Sequence, residues 1–192
     1  MGTSGERERS PEIKIKSDNK TKANFSLCYE ENKRKELKIA PESIPLNALD
    51  KKMLECHNNY RKKHFSKELN INNELNSIAE DYAKNIVEKN LEIGQNILYK
   101  NDILGENIFI SNKKEKEEDI CKNWYEEKNR YNYELNSFQK ETNNFTQMIW
   151  SSTNEVGFGC FNNDKKYCYV ALYYPAGNIF GQFKKNVNRP LN

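Results

Sequence analysis

Two histidines, His57 and His64, are the only imidazoles among 192 residues, and an imidazole is the usual base near neutral pH and a common metal ligand. They stand seven residues apart on what reads as one helix. At roughly 1.5 Å rise per residue their backbones are about 10.5 Å apart, too far for easy recruitment to one ion. Five cysteines, Cys28, Cys56, Cys121, Cys160 and Cys168, form no CxxC pair, so neither a zinc ribbon nor a thioredoxin-type site is expected. Cys160 and Cys168 flank Asn162-Asn163-Asp164-Lys165-Lys166, which reads as a hairpin turn. A disulfide there would close a loop of about nine residues and stabilise by about 2.5 kcal/mol, the alternative being two half-buried free thiols. The pairing of Cys28, Cys56 and Cys121 stays open. No Ser–His, Cys–His or metal-ligand arrangement stands out.

The elements that position these residues follow from periodicity. Residues 1–42 are rich in Lys, Glu, Asn and Ser without a sustained period, and read as a disordered charged tail. A domain is expected over 43–190. Its first helix begins after Asn47, with Leu49, Met53, Leu54, His57, Tyr60 and Arg61 at helical spacing. A second starts near Asn73, where Leu75, Ile78, Ala79, Tyr82, Ala83, Ile86 and Val87 form one apolar stripe. Residues 91–116 read as loops around Ile108-Phe109-Ile110. A third helix is predicted over Glu117–Asn129, and a short fourth over Thr142–Trp150 with Asn143 or Asn144 as its cap. Two strands, Val156–Phe161 and Tyr167–Tyr174, close the domain.

Lys and Arg number 31 against 28 Asp and Glu, a net charge of +3 with both signs interspersed. Nucleic acid is therefore not an expected partner, since phosphate-binding proteins gather basic residues into a stripe. No run approaches the roughly 18 apolar residues of a membrane span, and the first 30 residues hold no apolar h-region, so a soluble chain without signal peptide is expected. Gly2 begins an approximate N-myristoylation pattern that Glu6 breaks.

Five segments in order carry a resemblance. They are His57-Asn58-Asn59-Tyr60-Arg61, Gly105-Glu106-Asn107-Ile108, Trp124-Tyr125-Glu126-Glu127, Asn144-Phe145-Thr146-Gln147-Met148-Ile149-Trp150, and Tyr174-Pro175-Ala176-Gly177-Asn178-Ile179. Together, over residues 45–187, they resemble the signature blocks of the CAP superfamily of cysteine-rich secretory, antigen 5 and pathogenesis-related proteins. The resemblance implies an α+β fold, a three-layer α/β/α sandwich with a central antiparallel sheet between helices. Within it Pro175 and Gly177 end a buried strand, Trp150 packs on the core, and His57 and Arg61 form a packing and hydrogen-bonding device.

Members of this superfamily often carry two His and two Glu in a central cleft that suits zinc. Here Glu106 and Glu127 match the two acids, Asn144 stands where one His is found, and residues 91–104 lack the other. The resemblance thus implies a degenerate tetrad with no zinc, no catalytic residue and no cofactor, although two carboxylates and an amide could hold calcium or magnesium weakly. Two functions compete: a lipid or sterol carrier, with Ile97, Leu98, Tyr99, Ile103 and Leu104 as apolar material, and an extracellular module that binds a protein surface. A carboxylate-based or metal-dependent hydrolase or protease is the alternative, and would need Glu106 or Glu127 with a pKa raised by burial. The resemblance implies a secreted or lumenal location, and sequons stand at Asn19, Asn24 and Asn144.

Overall fold

The computed structural model describes residues 47–191, so the predicted tail, Cys28, and the sequons at Asn19 and Asn24 lie outside the described residues. Helix α1 spans Ala48–Lys63, its first turn closed by the Asn47 side chain accepting from the Asp50 amide at 2.8 Å. Its buried stripe is Asp50, Met53, His57 and Arg61, three of the four polar. Helix α2, Asn73–Glu88, is capped by Asn72 and buries the seven apolar and aromatic residues its period predicts. Helix α3, Glu117–Glu126, tightens into a 3₁₀ turn over Glu127–Arg130, and α4 covers Asn143–Met148. A last turn, α5, spans Phe183–Asn186.

Six strands accompany these helices. They are β1 Asn70–Ile71, β2 Leu98–Tyr99, β3 Asp102–Ile103, β4 Gly105–Ser111, β5 Glu155–Asn162 and β6 Tyr167–Tyr174. The central sheet has the order β1-β5-β6-β4, while β2 and β3 form a separate hairpin. The pairs β5–β6 and β4–β6 are antiparallel, and the two-residue β1 adds to β5 in parallel. The expected α+β sandwich is what forms, with one parallel edge pair in an otherwise antiparallel sheet. Strand β4 corrects the reading of 91–116 as loops, because Ile108-Phe109-Ile110 lies within it.

Two faces of the sheet carry different layers. Helix α2 lies so close to β5 that a methyl group at Gly157 would collide with the backbone of Leu75, and one at Gly159 with that of Ala79. On the opposite face α1, α3 and α4 enclose a core of Met53, Ile120, Trp124, Phe145, Phe158 and Tyr173. Because side chains alternate along a strand, the register fixes which residues meet which layer. Asn107, Ala171 and Phe158 face the α1/α3/α4 side, whereas Glu106, Leu172 and Gly157 face α2.

The same alternation corrects the hairpin disulfide. Cys160 pairs with Tyr169 and Cys168 with Phe161, one step out of register with each other, so their side chains leave opposite faces of the sheet. Both are free thiols. Burial pushes both up, Cys168 to about 12, so they rest protonated.

Candidate functional site

Glu127 opens the 3₁₀ turn after α3 and aims its carboxylate at the start of α4. One oxygen accepts the backbone N–H of Asn144 at 2.9 Å and of Phe145 at 3.0 Å, and the other accepts the Asn144 side-chain amide at 2.7 Å. A helix start leaves N–H groups without internal partners, and a carboxylate there is favoured by both hydrogen bonding and the helix dipole. Glu127 is therefore the cap of α4. Asn143 and Asn144, predicted as caps, lie inside the helix, and Thr142 at the cap position makes no side-chain capping bond.

From Asn144 a polar chain crosses the core. Its carbonyl accepts from Asn107 Nδ2 at 2.9 Å, and the same amide reaches the Tyr173 hydroxyl at 3.1 Å. That hydroxyl is 2.8 Å from His57 Nε2, while His57 Nδ1 is 2.7 Å from the Met53 carbonyl. A carbonyl only accepts, so Nδ1 carries the proton and Nε2 accepts from Tyr173. Burial favours this neutral form and lowers the His57 pKa to about 4. His64 repeats the pattern, with Nδ1 on the Asn188 carbonyl at 2.7 Å and Nε2 on the Tyr125 hydroxyl at 3.0 Å, and burial lowers it as well. Both histidines are spent on holding the fold.

Glu106, next to Asn107 on β4, points to the other face. There it meets the Tyr82 hydroxyl, which itself accepts the Gly94 amide at 3.1 Å, and burial outweighs these neighbours and raises its pKa. Glu106 and Glu127 thus serve different layers. Among the described residues no three His, Cys, Asp or Glu come together in a way that could hold a metal ion. The tetrad positions do not fit zinc: Asn144 offers Nδ2 as a donor rather than a lone pair, and Glu127 already accepts three N–H bonds. The Asn144 sequon meets the same obstacle, since Nδ2 is the atom a glycan would modify.

The remaining signature residues tie the loops to this corner. Arg61, fully buried, donates to the carbonyls of Lys67, Met148, Trp150 and Thr153 at 2.7 to 3.0 Å, and burial lowers its pKa to about 10. Gln147 Oε1 accepts the Gly177 amide at 2.7 Å. Asn178, in the left-handed region at φ 57°, accepts from Thr146 Oγ1 and donates to the Asn143 carbonyl. Trp150 packs edge-on against Phe183 at 5.1 Å. Pro175 follows the last residue of β6, as expected. Tyr173 and Tyr82, which hold His57 and Glu106, escape a reading of the sequence because each looks like one more apolar position in a buried stripe.

The predicted apolar loop is the β2–β3 hairpin, and it divides. Ile97, Tyr99 and Leu104 are buried, whereas Leu98 and Ile103, cross-strand partners, are 46% and 51% exposed.

Comparison with known proteins comes out as the five blocks suggest. The model of the "Cysteine-rich secretory protein family" (CAP) matches residues 54–174. The human Golgi-associated plant pathogenesis-related protein 1 is 30% identical over 141 residues, covering 72% of this chain and 91% of that protein. Protein PRY2 of Saccharomyces cerevisiae is 37% identical over 67 residues, covering 33% of this chain and 20% of its own length. Among solved structures, Schistosoma mansoni venom allergen-like protein 4 superposes with a TM-score of 0.62 at 23% identity, over 77% of this chain and 97% of that one.

Proposed function

The chain belongs to the cysteine-rich secretory protein (CAP) family, and from that premise we propose that it is a non-catalytic binding module whose ligand is a lipid or sterol. The observation that carries the non-catalytic part is the state of Glu127: three N–H donors occupy its carboxylate, and the only two histidines are buried and bonded through both ring nitrogens. Neither group is available as a base, and Glu106 alone, bonded to Tyr82, lacks a nucleophile to activate. A solved structure of NaASP2 with Zn2+ shares the fold at 22% identity. Its metal has no counterpart in our reading of this chain.

The apolar ligand is argued from Leu98 and Ile103. A two-residue hairpin anchored by buried Tyr99, whose hydroxyl donates to Glu74 at 2.8 Å, presents two aliphatic side chains to solvent at one spot. A secreted or lumenal setting belongs to the same proposal, since relatives include venom allergen 5.01 of Dolichovespula maculata. No helix among the described residues is long and apolar enough to cross a membrane.

The test is thermal unfolding of the purified chain with zinc, calcium, magnesium, a chelator, cholesterol sulfate or oleate, because a ligand of the native state raises the midpoint. The proposal expects a rise with a lipid that is lost in Leu98→Asp/Ile103→Asp. A rise with zinc that the chelator reverses would overturn the non-catalytic reading. Indifference to every lipid would move the search to a protein surface.

A further inference from the structure

Helices α1 and α3 meet along a seam of three rungs. The Lys52 ammonium lies 3.4 Å from the Glu117 carboxylate, and the rings of Tyr60 and Tyr125 stack at 3.9 Å with 18° between their planes. Lys52 and Tyr60 are eight residues apart, as are Glu117 and Tyr125, so the helices run side by side in the same direction and in register. Midway between these contacts, one turn from each, stand Cys56 and Cys121. Each thiol shifts the ionisation of the other. Cys121 is buried, with Sγ 3.8 Å from Met53 Sδ and 3.6 Å from His57 Nδ1, and Cys56 is half-buried at the outer edge of the seam.

We propose that Cys56 and Cys121 are an oxidisable dithiol, with Cys56 the site of attack by a hydroperoxide and Cys121 the resolving thiol that closes a disulfide between α1 and α3. The neighbouring Cys121 thiol lowers the pKa of Cys56, while Cys121 itself is held well above its ordinary value. A half-buried thiol whose pKa is lowered, beside a buried one whose pKa is raised, is the arrangement found at redox-sensitive cysteines. In the first step the Cys56 thiolate attacks one peroxide oxygen, the O–O bond breaks, and Cys56 becomes a sulfenic acid while the other oxygen leaves as hydroxide or alkoxide. In the second, Cys121 sulfur attacks the sulfenic sulfur, the S–O bond breaks, and the departing hydroxide takes the Cys121 proton to leave as water. The two thiols together give up two electrons to the peroxide. The register of the flanking rungs places the two cysteines opposite one another across the seam. The other described cysteines, Cys160 and Cys168, lack this because they leave opposite faces of the sheet. The inference does not depend on the lipid reading.

The experiment treats the full chain in a Cys28→Ser background with stoichiometric hydrogen peroxide and maps peptides without reduction. Expected is a single Cys56–Cys121 cross-linked peptide, about 2 Da below the sum of the reduced pair and restored by dithiothreitol, with an unfolding midpoint raised by roughly 5–10 °C. Iodoacetamide at pH 7 should alkylate Cys56 about tenfold faster than Cys160. In Cys121→Ala, Cys56 should pass to the sulfinic acid instead. Cross-links from Cys56 to any other cysteine, irreversible oxidation of Cys56 with Cys121 present, or equal alkylation of Cys56 and Cys160 would each overturn the proposal.

Discussion

Acid should weaken this domain through His57. The unfolded chain binds a proton on this residue near pH 6.5, the folded one only near pH 4. The folded value is the lower one, so as pH falls through 6.5 the unfolded state takes up the proton first and stability drops, levelling off below pH 4. A separation of about 2.5 units corresponds to about 3 kcal/mol in full, and to about 2 kcal/mol between pH 7 and pH 5. His64 is shifted in the same direction by burial and adds to the slope. Glu106 and Asp50 act the other way. Their folded pKa values are raised, so their contributions are present in full below the unfolded carboxylate range and fade as pH rises through the folded values. The assay is urea unfolding from pH 7.5 to 4.5 on the native chain and on His57→Gln, whose amide can still bond the Tyr173 hydroxyl. The variant is less stable throughout, but between pH 7 and pH 5 it should lose about 2 kcal/mol less than the native chain. Parallel curves, within about 0.5 kcal/mol, would refute the buried neutral imidazole and with it the polar chain from Asn144 to Met53.

Arg61→Lys keeps the charge, but a single ammonium cannot serve the carbonyls of Lys67, Met148, Trp150 and Thr153 together; a loss of about 3–5 kcal/mol in urea is expected, and a native-like midpoint would count against the clamp. Glu127→Gln turns one acceptor toward Asn144 into a donor and removes the charge at the start of α4. It should cost about 2 kcal/mol, and calorimetry with zinc or calcium should be the same for both proteins. Gly159→Ala drives a methyl group into the backbone of α2 at Ala79, and about 2–3 kcal/mol of stability should go with it, read from thermal unfolding.

The parts of the fold legible in the sequence are those whose signal is local. The α2 stripe repeats at three and four residues because one face of that helix lies flat on β5 and β6, and the Asn47 and Asn72 caps sit where the helical patterns begin. Strand β4 is not legible because it is an edge strand whose faces mix types. Gly105, Asn107 and Phe109 alternate with Glu106, Ile108 and Ile110, so neither face reads as apolar or polar throughout. The cysteine hairpin misleads for a related reason: spacing alone does not say whether two residues are in register, and a slip of one position sends a side chain to the other face.

The site shows the same division at longer range. The five blocks locate Glu106, Glu127 and Asn144, but their roles depend on partners distant in sequence. Glu127 caps a helix that begins 16 residues later, and Asn107 binds both Asn144, 37 residues on, and Tyr173, 66 residues on. What decides between a metal corner and a structural one is the chemistry of the 144 side chain. An imidazole turns a lone pair toward an ion, whereas an amide can donate and accept at once. Here the donor is turned to Glu127 and the backbone carbonyl to Asn107, so one residue joins the end of α3, the start of α4 and the edge of the sheet. An ion would have to displace three N–H donors from Glu127 before it gained a single oxygen, and one of those donors, the amide of the fully buried Phe145, would lose its partner at a helix start. The position that could have bound a metal is, in this chain, a hydrogen-bonded joint between layers.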